Sequence, residues 1–167
     1  MINFKKQKAF SLIELIVYIS ISSVMVLLLM GSFDLLTRFR DRAQAISEIK
    51  KQGLSIMEVI NQRIRDAENI DFPPAGESGE YLSLTMSEAV RNPLVVELQN
   101  NAITLDEGFY PTFNLSNSRV EASNLIFKNA SLGSTQGIIN VQFTLSNAYG
   151  KTDYEQNFYG GSSLRKL

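Results

Sequence analysis

No cysteine, histidine or tryptophan occurs among the 167 residues. Without thiols or imidazoles, the chain cannot form disulfides, Cys/His zinc sites, thiolate nucleophiles, imidazole general bases or Ser-His-Asp triads. Most enzyme classes are thereby excluded, and no clustered carboxylate pair offers itself as a substitute. A domain outside the cytoplasm has to be held by packing alone. An excess of either charge is missing too. The 16 basic and 17 acidic side chains leave a formal charge of -1, so the sequence shows no electrostatic footprint for nucleic acid. Internal repeats and low-complexity tracts are absent, and the length suits one modest domain with an appendage.

What is present begins at the amino terminus. From Phe10 to Gly31 there are 22 residues whose only charge is Glu14. As a helix they reach roughly 33 Å, about the thickness of a hydrocarbon core. The leader before them carries Lys5, Lys6 and Lys8 and no acid. The positive-inside bias therefore predicts a cytoplasmic amino terminus and an exported remainder. A cleaved secretory signal would need small residues before a cut beyond the apolar run, and near Gly31 and Ser32 that place falls on bulky Leu29 or Met30. A plain one-pass anchor fits length and charge but leaves Glu14 unexplained. A carboxylate in a span costs about 3 kcal/mol on insertion scales and usually has a partner or a task.

Ala9-Phe10-Ser11-Leu12-Ile13-Glu14, behind a short lysine-rich leader, resembles the cleavage and methylation signature of type IV pilins and pseudopilins. The resemblance implies that a prepilin peptidase cuts between Ala9 and Phe10 on the cytoplasmic side and methylates the new Phe10 amine. It further implies that Glu14 is the subunit-assembly charge. A cut before the apolar run keeps the span in the mature protein, unlike signal-peptidase processing. The Phe10 amine is largely cationic at neutral pH, so each subunit brings one cation and one anion into the lipid, and Glu14 of one can meet Phe10 of the next. The usual residue before the cut is Gly; Ala9 adds a methyl group, which predicts slower processing.

Beyond the span, Leu36, Phe39, Ala43, Ile46, Ile49, Gly53, Ile56, Ile60, Ile64 and Ala67 recur at steps of three and four, one face of a helix. The intervening charges read as a solvated face. One helix from about Phe10 to about Asn69 is the simplest assignment, with Gly31 and Gly53 as weak spots of about 1 kcal/mol each and local bending or melting at Gly31. The stretch "DFPPAGESGE" is expected to stop it. Period two then takes over. Ile139, Val141, Phe143 and Leu145 alternate with polar residues, as do Leu94, Val96 and Leu98, and Asn100-Asn101 offers a tight turn into Ile103 and Leu105. Tyr81 to Met86, Asn124 to Lys128 and Thr152 to Tyr159 are further strands. The predicted fold is α+β, a long amino-terminal helix packed on a mainly antiparallel sheet, as in pilins. Its parts are a leader (1–9), a transmembrane half-helix (10–31), an amphipathic half-helix (32–70) and a β-rich globular domain (71–167).

Asp106, Glu107, Glu77 and Glu80 lack the regular spacing of a calcium loop and read as solvated loop acids, so no metal or other cofactor is expected. Asn114-Leu115-Ser116 and Asn129-Ala130-Ser131 match the glycosylation triplet, which is too short to inform. Tyr154, Phe158 and Tyr159 read as packing of the last strand rather than a binding patch. The expected function is that of a non-enzymatic minor pilin or pseudopilin, in a type IV pilus, type II secretion pseudopilus or DNA-uptake filament. Its expected partners are the prepilin peptidase, other pilin or pseudopilin subunits, an inner-membrane assembly platform and membrane lipid. Its expected place is the cytoplasmic membrane and then a periplasmic or cell-surface filament. The rival is a non-polymerising, membrane-anchored extracytoplasmic binding protein.

Overall fold

A computed structural model describes residues 11–132, 137–148 and 154–165. Helix α1 spans Leu12–Asp66, and the chain divides into two units, Met1–Asp41 and Arg42–Leu167. In the first unit the described residues form helix from Leu12 onward, and every one of them is exposed. This part is long and apolar enough to cross a membrane. Four of its hydroxyls are turned back on the backbone. Ser20, Ser23 and Ser32 donate to the carbonyls of Ile16, Ile19 and Leu28 at 2.8, 2.8 and 2.9 Å, and Thr37 donates to Phe33 at 2.6 Å. Each such bond satisfies a polar group that lipid would leave stranded.

In the second unit the last turns of α1 bury Ile49, Gly53, Ile56, Ile60 and Ile64, the later part of the stripe that the three-and-four spacing predicts; its earlier members Leu36, Phe39 and Ala43 are exposed. A fully buried isoleucine contributes roughly 1.5–3 kcal/mol over an exposed one. Nine strands follow among the described residues: β1 (Ala67–Phe72), β2 (Ser78–Gly79), β3 (Leu82–Met86), β4 (Leu94–Gln99), β5 (Ala102–Glu107), β6 (Phe113–Asn114), β7 (Val120–Asn129), β8 (Ile138–Asn147) and β9 (Glu155–Ser163). They form two antiparallel sheets, in the orders β1-β3-β4-β5-β6 and β2-β7-β8-β9. One core joins them to the helix: Leu82, Leu84, Leu94, Val96, Ile103 and Leu105 from the first sheet, with Phe127, Ile139, Val141, Phe143 and Leu145 from the second. The structure is thus α+β, a long amino-terminal helix packed on antiparallel sheets.

Several boundaries differ from the sequence reading. The helix ends at Asp66, because residues 67–69 belong to β1, paired with β3 through Ala67↔Met86 and Asn69↔Thr85. Two sheets stand where one was expected. The helix runs unbroken through Gly31, since one glycine costs about 1 kcal/mol against a long cooperative hydrogen-bond ladder. Asn100 and Asn101 make the predicted turn, with φ of 49° and 60°, as a two-residue hairpin between β4 and β5 demands. Strand β7 starts four residues before its predicted onset. A bulge near Asn124, φ 52°, puts two exposed residues side by side and breaks the alternation that marks a strand.

Candidate functional site

The candidate site is the start of α1. Ser11 precedes the first turn, and its carbonyl accepts the N–H groups of Glu14 and Leu15 at 3.0 and 3.3 Å. Glu14 therefore sits in the first turn, where an acid interacts favourably with the positive end of the helix dipole. Its side chain is exposed, as are those of Leu12, Ile13, Leu15 and Ile16 around it. The carboxylate is thus presented outward from an apolar surface, open to a cation brought by another molecule. Ala9, Phe10 and the leader lysines Lys5, Lys6 and Lys8 lie outside the described residues.

The loop residues singled out by the sequence do not converge. Among the described residues, no group of three or more acids stands together to hold a metal. Glu107 is no solvated loop acid: it ends β5 and is 5% exposed. Arg63 Nη2 lies 2.8 Å from Glu107 Oε1, Arg91 Nε lies 3.9 Å from Glu107 Oε2, and Arg91 also meets Glu88 at 3.1 Å. These contacts are close but poorly aligned, and Arg63 Nε, Arg91 Nε and Glu107 Oε1 are buried without a hydrogen bond. The cluster ties α1 to the first sheet as an ion pair, which spacing in the sequence could not reveal. The Asn129 triplet is no glycosylation acceptor, because Asn129 is buried and its amide donates to the Pro73 carbonyl at 2.8 Å. Asn114 is exposed on β6, while Ser116 is buried and accepts from the Ile103 N–H at 3.2 Å. Phe158 faces the core, Tyr154 is half-buried and Tyr159 is exposed.

An apolar, exposed helical segment long enough to cross a membrane, with one acid in its first turn, fits a membrane-anchored protein. The prokaryotic N-terminal methylation motif matches residues 4–30, so the chain carries a type IV pilin-like prepilin signature. That match covers Glu14 and the predicted cut, and it supports processing by prepilin peptidase and assembly with other pilin subunits. No curated protein and no solved structure shows a significant match to the chain.

Proposed function

We propose that the chain is a minor pilin or pseudopilin, a structural subunit cut between Ala9 and Phe10, methylated on Phe10, and built into a filament through its amino-terminal helix. In this reading residues 1–9 are a leader left in the cytoplasm and 10–31 are the membrane span. Residues 32–70 and 71–167 lie beyond the membrane, first at an inner-membrane assembly platform and then in the filament. The observation that carries it is Glu14: one outward carboxylate in the first turn of an otherwise apolar, exposed helix, under a prepilin signature.

The physical role of Glu14 follows from its surroundings. An unpaired carboxylate in lipid is costly, and a charge pair there is costly to break. A Glu14 that meets the Phe10 amine of a neighbouring subunit rewards one stagger over all others. The deciding experiment compares Glu14→Gln and Glu14→Leu with the parent chain at matched membrane levels, measuring incorporation into sheared filaments. Both variants are expected to fold and be cleaved but to be depleted from filaments. Normal incorporation of both would overturn the pairing role of Glu14, and absence of the parent chain itself from filaments would favour the non-polymerising anchored binder.

A further inference from the structure

Among the described residues of the second unit the most exposed large apolar side chain belongs to Phe109, at 86%. Tyr110 on the same loop, Phe113 at the start of β6, and Val90, whose carbonyl meets the Phe109 N–H, are exposed as well. A loose loop would bury such rings against its own domain, yet this one is fastened in place. Gly108 N donates to the Pro93 carbonyl at 3.1 Å, Phe109 N to Val90 at 3.1 Å and Tyr110 N to Glu107 at 3.0 Å. Gly108 has φ +52°, and a Cβ there would stand 2.7 Å from the Val90 oxygen. The supporting segment is fixed in turn, for Asn92 Nδ2 donates to the Met86 carbonyl at 2.8 Å. Rings pre-positioned in water have their ordering cost met before any partner arrives, and an exposed apolar patch of this kind marks an interaction surface. Asp106, three residues before Phe109, has no ion-pair partner among the described residues.

A complementary feature lies on the helix of the same unit. Leu54 is 67% exposed, and one turn before it stand Lys50 and Lys51, exposed and likewise without an ion-pair partner among the described residues. Arg63, whose guanidinium reaches Glu107 below the loop, follows Leu54 by nine residues. At about 100° per residue that is a half-turn offset, so Leu54 points to the side of the helix opposite Arg63. An apolar knob with two cations one turn before it and Glu58 one turn after it, and an apolar loop preceded by an anion, therefore occupy different faces of one unit. Two different, complementary faces make a head-to-tail contact that repeats without closing.

We propose that the loop after β5, with Phe113 at the start of β6, docks in one copy on the Leu54 flank of α1 in a second copy, with Asp106 meeting Lys50 or Lys51. The inference rests on the filament reading above and names the surface through which the exported units meet. Because the chain has no cysteine, introduced thiols are the only ones it carries. Copies bearing Leu54→Cys and copies bearing Phe109→Cys are co-expressed as full-length chains, treated with a short bismaleimide, and probed in both membranes and sheared filaments. Mixed-site links are expected to exceed either same-site combination by roughly tenfold, as a head-to-tail contact requires. Lys51→Glu should cut the mixed link by roughly two- to fivefold, and adding Asp106→Lys should restore it, the scale of an exposed ion pair. Dominant Phe109→Cys self-links, links only to other proteins, or no link while the chain is present in filaments would overturn the contact and leave the filament reading standing. A mixed-site link in a chain that never enters filaments would keep the contact and end that reading, and loss of both would end both.

Discussion

The ring of Phe158 occupies the space that a Cβ on Gly53 would need. Phe158 is itself stacked on Phe143, with ring centroids 5.2 Å apart and planes 19° from parallel. A glycine in the middle of a helix thus serves as the seat for an aromatic ring from β9. Propensity alone predicts that Gly53→Ala stabilises the helix by about 1 kcal/mol. Packing predicts the reverse, a loss of roughly 1–3 kcal/mol from the displaced ring. Urea unfolding of the second unit decides the sign, and a stabilised variant would remove Phe158 from contact with the helix.

That unit should be obtainable alone. The core residues of the helix and of both sheets all fall within Arg42–Leu167, so a fragment beginning at Arg42 is expected to be soluble, with helix and strand in its circular dichroism and a cooperative melt. A fragment that stays unfolded would show that residues before Arg42 hold the core together.

Within the helix, the two faces should respond very differently. Ile60 is fully buried, and Ile60→Ala is expected to cost about 2–5 kcal/mol. Glu58→Ala, on the exposed face, should stay within about 0.5 kcal/mol. Equal effects in denaturant titrations would mean that the stripe is not what meets the sheets.

The Arg63–Glu107 pair should be lopsided. Glu107→Leu leaves an arginine whose side chain is 24% exposed and can turn toward water. Arg63→Met strands a carboxylate that is 7% exposed, with Arg91 only at 3.9 Å. The arginine change should therefore be the more destabilising, at about 3 kcal/mol against about 1. Matched chemical denaturation of both variants tests the order, and a larger loss for Glu107→Leu would contradict it.

Processing offers a test outside the folded unit. Amino-terminal sequencing of the mature protein should begin at Phe10, and Ala9→Gly should speed the cut, whereas a bulky charged residue at Ala9 should block it. A mature chain that still begins at Met1 in the presence of active peptidase would reduce the amino terminus to a simple anchor.

Much of this was legible in the residues because period and punctuation are local. Ile49, Ile56, Ile60 and Ile64 announce a buried helical stripe, Ile139 to Leu145 a half-buried strand, and Asn100-Asn101 a hairpin. The motif at the amino terminus was equally plain, since leader charge, Phe10 and Glu14 lie within one short window. What stayed hidden depends on partners distant in sequence. Residues 67–69 continue the helical pattern and become strand only because β3 is there to pair with them. Glu107 looks like a loop acid until Arg63 and Arg91 arrive from elsewhere, and the exposure of Phe109 depends on carbonyls contributed by Val90 and Pro93. Gly53 was marked as a flaw in the helix for the same reason, Phe158 being 105 positions further on.

The serine and threonine hydroxyls of the first unit bear on how one span reads another. Ser20, Ser23, Ser32 and Thr37 each commit their proton to a carbonyl one turn back, so those protons are not on offer to a neighbouring helix. Oily side chains grip almost equally well at many axial offsets, and Glu14 is the only charge between Phe10 and Gly31. Under the proposed pairing the span is a rod with one charged tooth: lateral affinity would come from the whole surface, and one carboxylate would set the position at which sliding stops.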